Sequence, residues 1–300
     1  QSAYSNHDQE SYFGLRAYDI EHKSFFTNLL FNSIISNTKN KFKTGINFSY
    51  DSYNEQVDLV NYERRDEVIG AFFEYSYDSL DKLNLTAGIR VDSHNRLGFF
   101  VTPRIHVRYN PWERSVLRAS VGSGRKAANI FAENQKLFGT NRLIQVSDNG
   151  GSVYGLRSER AWNYGVSFRQ GFTLFENQGD VTVDFYRTQF EDQVVVDWEQ
   201  ASHIRFYNLE GSSYANSFQL EVDYVPFKNT SLRLAYKNYE VKTTYGTQTL
   251  QKPLQPKERF FANFEYRFEN EENGSQWKAD WTYHFVGAQR LPSNSRDGSG

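Results

Sequence analysis

The sequence predicts an all-β chain, an antiparallel transmembrane β-barrel wall, and three observations carry that expectation. The first is a period of two. In residues 82–92, KLNLTAGIRVD, Leu83, Leu85, Ala87, Ile89 and Val91 share one parity, while Lys82, Asn84, Thr86, Arg90 and Asp92 share the other. Successive side chains of a strand point to opposite faces, so the segment has one apolar and one polar face. SFQLEVDY (217–224), RFFANFEYRF (259–268) and QWKADWTYHF (276–285) repeat it, with Phe, Leu, Val, Tyr and Trp on one side. Gln219, Glu221, Asp223, Arg259, Glu265, Arg267, Lys278, Asp280 and His284 stand on the other. The second is composition: mean hydropathy is −0.71, yet 17% of residues are aromatic, with Tyr 20 and Phe 25. Strands with a lipid-facing outside and a wet inside combine those two properties. The third is the order of the connections, which alternate short and long as in outer-membrane barrels.

Strands are expected at 11–19, 25–35, 42–52, 67–78, 82–92, 98–109, 114–123, 159–170, 180–197, 204–225, 230–241, 258–268 and 276–286. Polar and Gly/Pro-containing turns bound them. The second, FFTNLLFNSII, has apolar residues on both parities, so its facing is not assigned. Short turns at 36–41, 78–81, 110–113, 176–179, 226–229 and 270–274 are expected on the periplasmic side. Longer links at 53–66, 124–158 and 242–257, and the tail after Gly287, are expected outside. On this reading Leu83, Leu85, Ile89, Val107, Leu220, Val222, Phe264 and Trp281 face lipid. Arg90, Arg104, Arg108, Arg118, Glu221, Glu265 and Asp280 face inward. Trp162, Tyr164, Trp198, Trp277, Trp281 and Tyr283 are the candidates for aromatic belts at the lipid interface.

Several function classes are excluded. No apolar run approaches the roughly 20 residues of a helical span. A net charge of −2 gives no footprint for nucleic acid. Cys 0 removes disulfides, zinc–thiolate sites and cysteine nucleophiles. No G-x-S-x-G elbow, HExxH or P-loop occurs, so no catalytic residue and no cofactor is predicted. The six His, at 7, 22, 94, 106, 203 and 284, lack the paired spacing of a metal site. No linker or low-complexity stretch divides residues 1–300, which read as one barrel domain. Met 0, an opening Gln1 without a signal peptide, and a polar end SNSRDGSG predict that this domain is truncated at both ends.

Four stretches then carry a family likeness. They are TPRIHVRYNPWERSVLRASVGSGRKAANIFAEN (102–134), LRSERAWNYGVSF (156–168), FYRTQFEDQVVVDW (185–198) and FYNLEGSSYANSFQLEVDY (206–224). A Pro-Arg strand opening, a turn after Tyr-Asn-Pro, a Gly-x-Gly strand end and a Ser-Glu-Arg-x-Trp-Asn-Tyr opening follow in that order. The chain thereby resembles the C-terminal β-barrel of a TonB-dependent outer-membrane receptor. It departs after Gly122 and Gly124, where Arg125, Lys126, Ala127 and Ala128 precede Asn129 in place of the family's aromatic, Arg and Pro.

The resemblance implies a partial barrel of about 13 strands where the full one has about 22. It implies a plug domain upstream of Gln1, an energising TonB complex as partner, a bacterial outer-membrane location and active transport of a scarce nutrient, a siderophore- or metal-chelate. A passive porin and a non-transporting surface barrel or adhesin are the competing readings. Within 124–158, Arg125, Lys126, Asn129, Phe131, Asn134 and Tyr154 combine donors with aromatics and are the substrate-binding candidates. Arg90, Arg104, His106, Arg108, Arg118 and Glu221 are the candidates for lining the lumen and meeting the plug.

Overall fold

The computed structural model describes residues 1–14, 16–79, 82–269 and 274–293. Seven strands open the chain as an up-and-down meander: β1 (Ser2–Phe13), β2 (Arg16–Ile34), β3 (Asn40–Val57), β4 (Val60–Asp78), β5 (Leu83–His94), β6 (Gly98–Tyr109) and β7 (Ser115–Lys126). A short 3-10 helix, Ala132–Leu137, and β8 (Leu143–Val146) leave the wall. It resumes with β9 (Glu159–Leu174) and β10 (Asn177–Asp192), is left again by β11 (Val194–Asp197) and β12 (His203–Asn208), and continues with β13 (Ser213–Tyr224) and β14 (Thr230–Tyr245). β15 (Gln248–Gln251), β16 (Glu258–Glu269) and β17 (Gln276–Val286) complete it. The main sheet runs β1-β2-β3-β4-β5-β6-β7-β9-β10-β13-β14-β16-β17, with β15 paired only to β14. β1 and β17 are its edges, so the wall is an open arc. β11, β12 and β8 form a second, three-stranded sheet.

The register puts the predicted faces where the alternation put them, because directly opposed residues share a face. Leu85 opposes Val107, Val222 opposes Leu234, and Phe264 opposes Trp281. On the other face Thr86 opposes His106, Arg108 opposes Arg118, and Glu265 opposes Asp280. β2 settles the segment whose parity was unassigned. Phe25, Leu29 and Phe31 oppose Tyr50, Ile46 and Thr44 on the apolar face, while Phe26 and Leu30 lie on the polar one. The belt candidates Trp162, Trp277, Trp281 and Tyr283 stand on the apolar face of strands. Trp198 does not: it follows β11 and packs in the core of the outer loops.

Six expectations are corrected by the ladders. The strand at 11–19 is instead a hairpin bend, with Gly14 at φ 68° between β1 and β2. The loop at 53–66 is a hairpin whose pairing continues to Val57↔Val60 around Asp58 and Leu59. Polar residues on both faces hid it, since that stretch rises beyond the lipid band. The strand at 180–197 breaks at Gln193, and 204–225 breaks at residues 209–212, which creates an outer connection at 193–212. The link at 242–257 folds partly into the β14–β15 hairpin, turning at Gly246 with φ 58°. The turn at 176–179 sits at Phe175 and Glu176, both with positive φ. The turns at 78–81 and 270–274, and the tail beyond residue 293, lie wholly or in part outside the described residues.

Two turns on the short-connection side share one construction. In Pro111-Trp112-Glu113-Arg114-Ser115 and Pro226-Phe227-Lys228-Asn229-Thr230 the fourth residue takes positive φ, 55° and 65°. The closing hydroxyl then bonds back to the aromatic residue's backbone. Ser115 Oγ accepts from Trp112 N at 2.9 Å and donates to Trp112 O at 2.6 Å. Thr230 Oγ1 does the same with Phe227 at 2.9 and 2.7 Å.

Candidate functional site: a loop cluster on the polar face

A hydrophobic core forms where the outer connections fold back onto the wall. Tyr18 and Ile20 of β2 and Val57 of β3 meet Ala128, Ile130, Phe131, Leu137, Phe138 and Leu156 of the 127–158 connection. Val194, Ile204 and Phe206 of the 193–212 connection pack into the same core. Burying side chains of this size contributes about 1.5–3 kcal/mol each, enough to hold long loops in one arrangement.

Polar groups fix that seating. Glu55 of β3 is only 2% exposed, and its carboxylate accepts from Tyr18 Oη at 2.7 Å and from Tyr154 Oη of the loop. Burial, then the charge of Glu55, pushes the Tyr154 hydroxyl well above the ordinary tyrosine value. Arg64 of β4 donates to Asn129 Oδ1, pairs with Asp66 at 3.0 Å, and lies 4.1 Å from the Tyr53 ring centroid. In the second connection Asp197 accepts from Arg205 at 2.9 Å and from Tyr207 Oη at 3.2 Å. Burial above all pushes that hydroxyl up to about 12. Glu199 pairs with Arg290 at 2.5 Å and accepts from Ser293 N at 2.9 Å, tying the segment after β17 to the cluster.

All six substrate-binding candidates fall in or against this cluster. Phe131 is 1% exposed and sits at its centre; Tyr154 Oη is held by Glu55, and Asn129 by Arg64. Asn134 Nδ2 donates to Ile130 O at 2.8 Å, stapling the short helix to its approach. Lys126 Nζ donates to Glu133 at 3.0 Å and lies 3.4 Å from Glu159. Arg125 Nε donates to Ser158 Oγ at 2.7 Å. Between loops and wall lies a cavity of about 440 Å³ lined by Tyr53, Arg64, Asp92, His94, Arg125 and Lys126.

The lumen candidates share the polar face in two states. Arg90 is bound to Asp92 at 2.5 Å and to Asn47 at 2.8 Å; Arg104 pairs with Glu74, and Glu221 lies 3.7 Å from Arg233. Arg108 and Arg118 face each other across the ladder, without an ion pair among the described residues. His106 stands between Thr86 and Ser120. No group of three His, Asp or Glu that could hold a metal exists among the described residues. Sequence reasoning did not find Tyr18, Glu55, Arg64, Asp197 or Glu199. Of these only the second connection had a signal, the Asn-Leu-Glu-Gly-Ser-Ser run at 208–213 that interrupts the alternation.

A sheet of this length with one apolar and one polar face, and folded connections at one end, defines the wall of a transmembrane β-barrel. The sequence matches the family described as TonB dependent receptor-like, beta-barrel over residues 1–299, and the chain belongs to that family, whose members reside in the bacterial outer membrane. None of the curated proteins matches the sequence. Among solved structures it is similar to the copper transporter OprC, with 13% identity and a TM-score of 0.66, covering 90% of this chain and 44% of that one. It is similar to the siderophore receptor PirA from Pseudomonas aeruginosa, with 15% identity, a TM-score of 0.58, and 95% and 54% covered. The FrpB iron transporter from Neisseria meningitidis gives 15%, 0.58, and 90% and 43%. The chain thus spans about half or less of the structures it matches.

Proposed function

We propose that this chain is the barrel portion of a TonB-energised outer-membrane transporter of a scarce nutrient carried as a siderophore- or metal-chelate. The observation that carries the reading is the family match over 1–299 joined to a polar face roofed at one end by two folded connections. In this reading the roof meets cargo through Arg125, Lys126, Asn129, Asn134 and Tyr154, while Phe131, at 1% exposure, holds the core beneath them and is not a contact. The polar wall at Arg90, Arg104, His106, Arg108, Arg118 and Glu221 meets a plug carried elsewhere in the same protein. The neighbours' cargoes, copper and siderophores, support the chelate class. The barrel carries out no bond chemistry.

The test is uptake by the full-length receptor of copper and of a panel of iron-loaded siderophores, in cells with and without TonB. Uptake of one member that stops without TonB is expected. Equal uptake in both strains indicates a passive pore and overturns the reading. Deleting Ala132 to Asn149 should then leave the barrel assembled while weakening both binding and uptake; unchanged affinity would reduce the loop to a connector.

A further inference from the structure

The register brings together two histidines whose spacing in the sequence gives no sign of a pair. His7 of β1 and His22 of β2 stand directly opposite each other in the ladder. Gln1 and Asn28 exchange both backbone bonds, at 3.0 and 2.9 Å, so by alternation His7 and His22 form a hydrogen-bonded pair too, with Cα atoms about 5.5 Å apart. Directly opposed residues share a face. The row continues to Tyr53 of β3 and Arg64 of β4, which places both histidines on the polar face. Ile20, the next residue of that face toward the outer end, belongs to the core of the roof, so the pair lies just beneath it.

Each ring is oriented by an acceptor at one nitrogen. His22 Nε2 lies 3.0 Å from Asp51 Oδ1, and its ring stacks on Tyr53 with centroids 4.2 Å and planes 4° apart. His7 Nε2 lies 3.4 Å from Gln9 Oε1. A carboxylate or amide oxygen only accepts, so each Nε2 carries the proton and each Nδ1 keeps its lone pair. Neither Nδ1 has a hydrogen-bond partner among the described residues. A carboxylate on the far N–H is the device that orients histidines toward a metal. His7 is exposed, and Asp51 and Tyr53 line the cavity of about 440 Å³ between loops and wall, so an ion has a route to the pair.

We propose that His7 and His22 form a two-imidazole site for copper(II). The two Nδ1 lone pairs converge on one ion, about 2 Å from each. No third His, Asp or Glu among the described residues is placed to join them, so water oxygens take the remaining positions. Two nitrogens with oxygens suit the tetragonal geometry of copper(II), and such ligands hold it more tightly than nickel(II) or zinc(II). The site goes beyond the transport reading and stands without it.

The experiment uses the full-length receptor, free of any histidine tag, in non-ionic detergent. Copper(II) alone is titrated in, with affinity and stoichiometry read by calorimetry and the bound nitrogens by electron paramagnetic resonance. Wild type should bind one copper through two imidazole nitrogens, and both His7→Asn and His22→Asn should lose that species. Asp51→Asn should keep both nitrogens yet weaken binding by about tenfold, as when the group orienting a ligand is removed. Nickel(II) and zinc(II) should bind the same site less tightly. His7 is exposed, so His7→Asn carries the test if a change at His22 or Asp51 prevents assembly, read as loss of heat-modifiable gel mobility. An unchanged stoichiometry and spectrum in His7→Asn overturns the proposal. So does a pair of weakly held coppers with one nitrogen each, which would mean two separate imidazoles and no shared ion.

Discussion

Glu55 gathers two elements of the wall and one of the roof on a single buried carboxylate. Tyr18 and Tyr154 both donate to it, and the two hydroxyls lie 136 positions apart in sequence, so no local pattern pointed to it. Glu55→Gln keeps the shape but sets an amide N–H₂ against a hydroxyl that had been donating. The expected loss is about 1–3 kcal/mol of loop seating, the cost of a buried polar group left short of a partner. Limited proteolysis reads it: cleavage within 128–156 should speed up while heat-modifiable mobility stays unchanged, and equal cleavage in both proteins would show that Glu55 does not seat the loop. Glu199 makes a pH-dependent attachment. Burial pulls its carboxyl up, but the hydrogen bonds from Arg290 and Ser293 outweigh this and leave it below the ordinary value. A carboxyl lowered on folding contributes stability that is fully present above about pH 4.3, the unfolded glutamate value, and is lost as pH falls through the lowered one. Amide exchange in residues 287–293 should therefore accelerate only below about pH 4.3. An Arg290→Gln variant should show the fast rate already at neutral pH.

At the scale of elements, legibility followed the solvent. Where a strand crosses lipid, one face must be apolar and the other polar, and Leu83 to Val91 or Phe260 to Phe268 declare themselves by parity. Where the same strands rise past the lipid, both faces are wet, and Tyr53 to Asp66 read as a loop although its ladder is unbroken. The 204–225 stretch failed in the opposite sense: apolar β12 belongs to the roof, and only the Gly211 break separates it from β13. The repeated Pro-aromatic-x-x-Ser/Thr turn was also there to be read. Ser115→Ala or Thr230→Ala leaves a backbone N–H without its acceptor, an expected cost of about 1–3 kcal/mol. Ser115→Thr should retain nearly all of it. Urea midpoints of the refolded receptor measure this, and an Ala variant as stable as wild type would show the hydroxyl to be idle.

The whole arc has two unpaired edges, β1 and β17. In hydrocarbon such edges have no substitute for their missing partners. Residues 1–300 expressed alone are accordingly expected to give no heat-modifiable mobility, whereas the full-length receptor does; a heat-modifiable band from the piece alone would contradict this. The polar face was legible at this scale because a run of polar parity recurs in strand after strand, as in β5, β13 and β17, though not in β2, where Phe26 and Leu30 interrupt it. The roof was not, because its core is assembled from segments as distant as Tyr18 and Phe206.

The arc is also uneven in height. β2, β3 and β4 have 19, 18 and 19 residues, whereas β5, β6 and β7 have 12 each. At about 3.3 Å per residue, six extra residues raise one flank by roughly 20 Å. Its crest is the β3–β4 bend, where Leu59 is 97% exposed. The tip of that crest takes no part in the Glu55 or Arg64 contacts. In the proposed transport role, an exposed tip of this kind can change its residues, and with them its appearance to antibodies or phage, without unseating the roof.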